Sequence, residues 1–151
     1  MRPSPALCRR TLLICAVVIG CVGLVLAAGV IGPVKAEAAR GDTTEAAVAA
    51  FWVNISFTLA AAAILFLIAF RTKGLGLIGK TVSILLGLLV MLLGLALTDA
   101  AAAYVDHGPD MRIASILLII CAAADILGGL AVVVTAALYP SATASRIGAG
   151  H

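Results

Sequence analysis

Three side chains in this sequence could do chemistry in a place where polar groups are expensive. Asn54, Asp99 and Asp125 each stand inside a long apolar run, and Asp125 is the sole carboxylate between Ile113 and Leu138. An Asp at the centre of a membrane helix costs about 2.5–3.5 kcal/mol on insertion scales, so such a residue marks a functional or assembly site. At 1.5 Å per residue, Asn54 lies roughly 10 Å and Asp99 roughly 8 Å below one end of their runs, whereas Asp125 lies roughly 18 Å in, near the middle. No Lys or Arg falls within the runs to neutralise Asp125. It is therefore expected to be neutral and protonated.

Three roles for Asp125 stay open on these grounds. It can donate a hydrogen bond inside its own bundle, meet a polar or basic group of another subunit, or bind a proton in a transport path. Asn54 and Asp99 come at about the same height when counted from the segment that joins their two runs, which predicts a hydrogen-bonded clasp between them. Such a contact contributes about 0.6–2 kcal/mol in a membrane.

Small residues suggest how the acids are positioned. Ser83, Gly87, Gly94, Thr98 and Ala102 recur at spacings of four and seven. Cys121, Asp125, Gly128 and Gly129 lie along one side of the next run, and Asn54, Thr58 and Ala62 along one side of an earlier one. Stripes of this kind let membrane helices approach closely, and they place Asp125 against protein rather than lipid. Whether the partner is this chain or another, the spacing does not say.

The elements that carry these residues follow from composition. The chain has 151 residues, of which 64% are hydrophobic and 11% charged, and a mean hydropathy of +1.23. So few charges cannot cover a soluble domain of this size. Four stretches, Thr11–Gly32, Ala47–Phe70, Thr81–Tyr104 and Ile113–Leu138, are long enough to cross a bilayer core of about 30 Å. They are continuously apolar rather than alternating, which predicts helices. The expected fold is an all-α integral membrane protein: residues 1–10 an N-terminal segment, 11–138 a single bundle of four transmembrane helices with short loops, and 139–151 a disordered tail.

Seven of the 10 Lys and Arg residues fall before the first run, between the second and third, or after the fourth. Lys35, Arg40 and Arg112 lie on the other side with most of the acids. The positive-inside rule then puts both termini in the cytosol. Trp52, Tyr104 and Tyr139 fall near run ends, as an aromatic belt requires. Alternatively, the first run is a targeting peptide cut near Ala36–Ala38, or a lipobox ending at Cys21; the length of its apolar stretch favours an uncleaved span.

Other signals are weak. The four cysteines avoid the outer loops, so an extracellular disulfide is not available. Cys8, beside Arg9 and Arg10, is a candidate for palmitoylation. Asn54–Ser56 matches a glycosylation acceptor but falls inside a span, so it is expected to stay unmodified. Asp106–Asp110 reads as a solvated turn. No cysteine, histidine and acid cluster has metal-ligand spacing, and no nucleophile motif is present. The expected function is non-enzymatic: a membrane organiser or accessory subunit without a cofactor, working through contacts with the lipid bilayer, itself or other membrane proteins, and not with nucleic acid. The alternative is a small proton- or solute-coupled transporter or channel subunit that uses Asp125.

Overall fold

The structure, a computed structural model, describes residues 4–41, 43–71, 76–106 and 108–139. The tail predicted to be disordered lies outside those residues, as do residues 72–75 of the segment joining the second and third runs. Among the described residues all regular structure is helical: α1 (Pro5–Gly29), α2 (Ile31–Arg40), α3 (Glu45–Arg71), α4 (Leu77–Tyr104) and α5 (Pro109–Leu138). Four spans are long and apolar enough to cross a membrane, with α1 and α2 together forming the first. This is the four-helix, multi-pass architecture that composition predicts.

Local chemistry sets the ends. Ser4 caps α1 by accepting from the Leu7 N–H at 3.3 Å, and Pro5 occupies the first helical position, where its missing N–H costs nothing. Gly41 ends α2 at φ 85°, a left-handed conformation suited to glycine. Helices α3, α4 and α5 have 27, 28 and 30 residues, or roughly 40–45 Å, longer than a bilayer core of about 30 Å.

The segment expected to be an outer loop from Pro33 onward is instead mostly helix α2. Pro33 explains both the continuity and the break. A proline in the first turn of α2 fits, yet it has no N–H to offer the Gly29 carbonyl one turn earlier. The chain therefore turns at Val30, whose φ of −108° departs from the helix, and resumes. Ile31, Val34 and Glu37 form the buried side of α2.

In the bundle α1 packs against α3 and α5, α5 packs most extensively against α4, and α3 touches α4 only lightly. All neighbouring pairs run antiparallel: Gly20 faces Ala62, Gly23 faces Leu59, Gly128 faces Ile19, and Gly87 faces Gly129. The core splits into two apolar clusters. Toward the end that carries the termini, each spanning helix supplies one fully buried side chain, namely Ile19, Leu65, Val90 and Val132. Toward the α2 end the equivalent layer is Leu26, Ile55, Leu97 and Leu118. Between the two layers lies the polar site.

Candidate functional site: a buried acid between two apolar layers

Leu118, Asp125 and Val132 are seven residues apart on α5, so the acid stands midway between the layers on the same face. Asp125 is 0% exposed, and neither carboxylate oxygen has a hydrogen-bond partner. Its wall on α4 is Gly94. A methyl group there would lie 3.1 Å from Asp125 Cβ and 2.9 Å from the Ala122 carbonyl oxygen, so glycine is what lets the two backbones meet at this height. A similar approach recurs two turns away, where a methyl group on Gly129 would sit 2.5 Å from the Gly87 carbonyl oxygen. The small residues at 87, 94 and 129 are thus consumed within the chain.

Of the remaining stripe members, Ser83 keeps to the buried row while Gly128 and Thr98 depart from expectation. Ser83 is buried on α4, and its hydroxyl has no partner. Gly128 turns away from α4 and faces Ile19 of α1. Thr98 is exposed, with its hydroxyl bonded to the Gly94 carbonyl of its own helix at 3.2 Å. The buried row of α4 runs 83, 87, 90, 94, 97, 101, 104. It alternates steps of four and three, and a step of four from Gly94 overshoots it.

Asn54 does not clasp Asp99. Its amide donates to the Leu93 carbonyl of α4 at 3.3 Å, and its own carbonyl accepts from the Thr58 hydroxyl at 3.5 Å. The clasp between α3 and α4 is present, but a backbone carbonyl takes the bond. Asp99 is exposed on the outside of α4. Thr58 is fully buried, beside Gly23 of α1. Stepping three residues along α1 from Ile19, which faces Gly128, brings Val22 opposite Asp125. Thr58 therefore stands within about one helical turn of Asp125 in height. The polar residues here are Asn54, Thr58 and Asp125; the sequence placed Thr58 on the small-residue stripe of its span but did not group it with the acid.

No charge intrudes on this layer. The stretches Thr11–Val34, Ala46–Phe70 and Thr81–Thr98 contain no Asp, Glu, Lys, Arg or His, and on α5 the nearest titratable side chain is Cys121, one turn away. Among the described residues no cluster of His, Cys, Asp and Glu could hold a metal ion.

Among the openings at the α2 end, two involve buried polar groups. A groove of about 220 Å³ runs between α3 and α4, where these helices barely touch; Ala47, Phe51, Leu97, Ala100 and Tyr104 line it, and Asn54 forms its deepest polar wall. Thr43 and Tyr104 share a hydrogen bond of 3.1 Å near its mouth. A second hollow of about 380 Å³ lies between the α1–α2 bend and the start of α5, lined by Gly29, Pro33, Glu37, Arg40 and Met111 among others. There Glu37 is buried but answered by Arg40 at 3.2 Å.

Cys8 is 3% exposed and belongs to the same apolar cluster as Leu65, Ala69 and Tyr139. An acyl chain on its sulfur would have to displace that packing, so lipid attachment is not carried forward. Cys21 is exposed on α1. Compared with protein-family models, curated proteins and solved structures, the chain matches none.

Proposed function

We propose that this chain is a small, non-enzymatic, proton-binding membrane protein, a transporter or channel subunit in which Asp125 takes up and releases a proton. One observation carries the proposal: a carboxyl wholly enclosed in its own bundle, with neither oxygen hydrogen-bonded. A structural acid in hydrocarbon is expected to donate to a carbonyl or hydroxyl, because a buried unsatisfied polar group costs about 1–3 kcal/mol. Ionisable side chains inside a membrane mark ion pathways and proton relays, which supports that role for an acid with no structural bond to make. The ligand class is a proton rather than an alkali cation, since a cation needs several oxygens around it and this layer adds only a hydroxyl and an amide already bonded to each other. Both termini are assigned to the cytosol by the positive-inside rule.

The test is proton flux in liposomes containing the purified protein, wild type beside Asp125→Asn. Loss of flux in the variant supports the proposal, and equal flux refutes it. Labelling by a hydrophobic carbodiimide, which reacts with protonated carboxyls, gives an independent readout. It should attach at Asp125 and decline as pH rises.

A second proposal, an organiser or accessory subunit, is favoured by Asp99. That carboxyl faces away from the bundle on α4, where a basic or hydroxyl group of another membrane chain can meet it. The glycine stripes no longer argue for this role, because they are used internally. Asp125 does not serve it either, being closed off from any second chain.

A further inference from the structure

We infer that the hollow between the α1–α2 bend and the start of α5 binds a primary ammonium group carried on a small apolar body, with Glu37 as its counter-ion. The inference does not draw on Asp125 and stands beside the proton-binding role proposed for that residue.

The hollow measures about 380 Å³, within the range of small-molecule sites. Its wall holds one charged side chain that is withdrawn from solvent. Glu37 is 5% exposed, and carboxylates are almost never buried to that degree unless a cation answers them. Arg40 answers only in part. It bonds Oε1 alone, at 3.2 Å, from a side chain that is 63% exposed, and a pair screened in this way holds weakly. Oε2 takes no hydrogen bond from the described residues, yet it is not sealed within protein. It therefore opens on the hollow that Glu37 lines.

Three further observations fix the chemistry of the occupant. In the stretches at this end, residues 33–46 and 105–112, five acidic side chains stand against three Lys and Arg residues. The local field thus draws cations and turns anions away. None of the described residues lining the hollow is aromatic. A quaternary ammonium is recognised through ring faces and finds none here, whereas a primary one donates N–H to a carboxylate at charge-assisted strength. Pro33, Met111 and Ile113 supply apolar wall for the rest of the molecule, and a methionine side chain adapts to the shape it meets. Room comes from glycine: a methyl group on Gly32 would meet nothing within 4 Å.

An ammonium entering here pairs with Oε2 and leaves the Arg40 contact in place. Free amines carry such a group, and so does the headgroup of phosphatidylethanolamine.

The experiment is isothermal titration calorimetry of the full chain in phosphatidylcholine nanodiscs, with the heat of empty discs subtracted. Hexylamine at neutral pH is the probe, and the wild type should bind it saturably at one site. Hexanol has the same chain without the charge, and hexyltrimethylammonium has the charge without an N–H. Each should bind at least about tenfold more weakly, as should hexylamine to Glu37→Gln, the change expected from losing one hydrogen bond to a charged group. Gly32→Leu fills open space and should abolish binding at an unchanged unfolding temperature. Arg40→Ala should bind as well as the wild type or better, and Asp125→Asn should bind equally.

No saturable heat in the wild type overturns the inference, as does undiminished binding in both Glu37→Gln and Gly32→Leu. Equal binding of hexanol reduces the hollow to an apolar cavity, which also overturns it. Loss of binding in Arg40→Ala would make the arginine the recognising group in place of Glu37. Discs of phosphatidylethanolamine separate the two sources. Weaker hexylamine binding there assigns the site to the lipid headgroup, and unchanged binding assigns it to a free amine, both with the ammonium at Glu37. None of these outcomes bears on proton flux, so the two proposals fail separately.

Discussion

Asn54 on α3 and Asp125 on α5 bear on two adjacent residues of α4: Asn54 donates to the Leu93 carbonyl, and Asp125 packs against Gly94. One bond and one glycine thus tie three helices at the height where the core is polar. Because α3 and α4 otherwise touch lightly, Asn54 carries much of their mutual alignment. Asn54→Leu should therefore cost about 0.6–2 kcal/mol, seen as a lower unfolding temperature in detergent. An unchanged temperature would mean that the Leu93 bond is exchanged for an equivalent one.

Asp125→Leu should behave in the opposite way. Leucine branches at Cγ as aspartate does, and replacing an unsatisfied buried polar group by an apolar one of similar shape relieves about 1–3 kcal/mol. The variant should thus unfold at the same or a higher temperature while losing proton flux. A large loss of stability would indicate that the carboxyl has a partner in the native protein.

The glycines separate by what surrounds them. Gly129→Ala meets the Gly87 carbonyl and the Met91 backbone, so the α4–α5 pair must move apart at a cost of about 1–3 kcal/mol. Gly32 has nothing within 4 Å. Its replacement by Ala should be neutral, or stabilising by about 0.5–1 kcal/mol from helix propensity. Paired thermal unfolding curves decide this, and equal effects at both positions would contradict the close approach.

Arg40 answers the buried Glu37, but its side chain is 63% exposed. Arg40→Ala is expected to cost under about 1 kcal/mol. Glu37→Gln should be tolerated better than Glu37→Lys, which would place an unmatched cation in the hollow beside Met111. Tryptophan fluorescence can follow this, since Trp52 is the sole tryptophan and lies under Lys35 of α2 at 5.5 Å.

Truncation tests the first span. Helix α1 contributes Leu12, Ile19 and Leu26 to the core and touches both α3 and α5. A chain beginning after Ala38 should fail to form the bundle and should aggregate or be degraded. A stable, monodisperse truncated protein would show that α3, α4 and α5 suffice.

The four spans and the depth of Asp125 were legible because hydropathy and residue count depend only on local sequence. The partner of Asn54 was not, because it is a main-chain carbonyl, and carbonyls look alike in a sequence. Pro33 and the charges after it read as a loop, although a proline in a first helical turn allows the helix to resume. Thr98 was grouped with Gly94 by a spacing of four. The actual row alternates threes and fours, and only the packed neighbour reveals which residue each step selects. The glycine stripes were visible as close-contact surfaces, while their use within one chain depended on helix order around the bundle.

Asp125 stands seven residues from Leu118 and seven from Val132, the apolar layers on either side. In electrical terms it lies near the middle of the voltage drop. A charge carried to it from either face would cross about half the membrane field, or about 1.2 kcal/mol per 100 mV. Occupancy of the site would then respond to membrane potential as well as to pH. Reversing the side from which protons enter would invert the sign of that response and barely change its size.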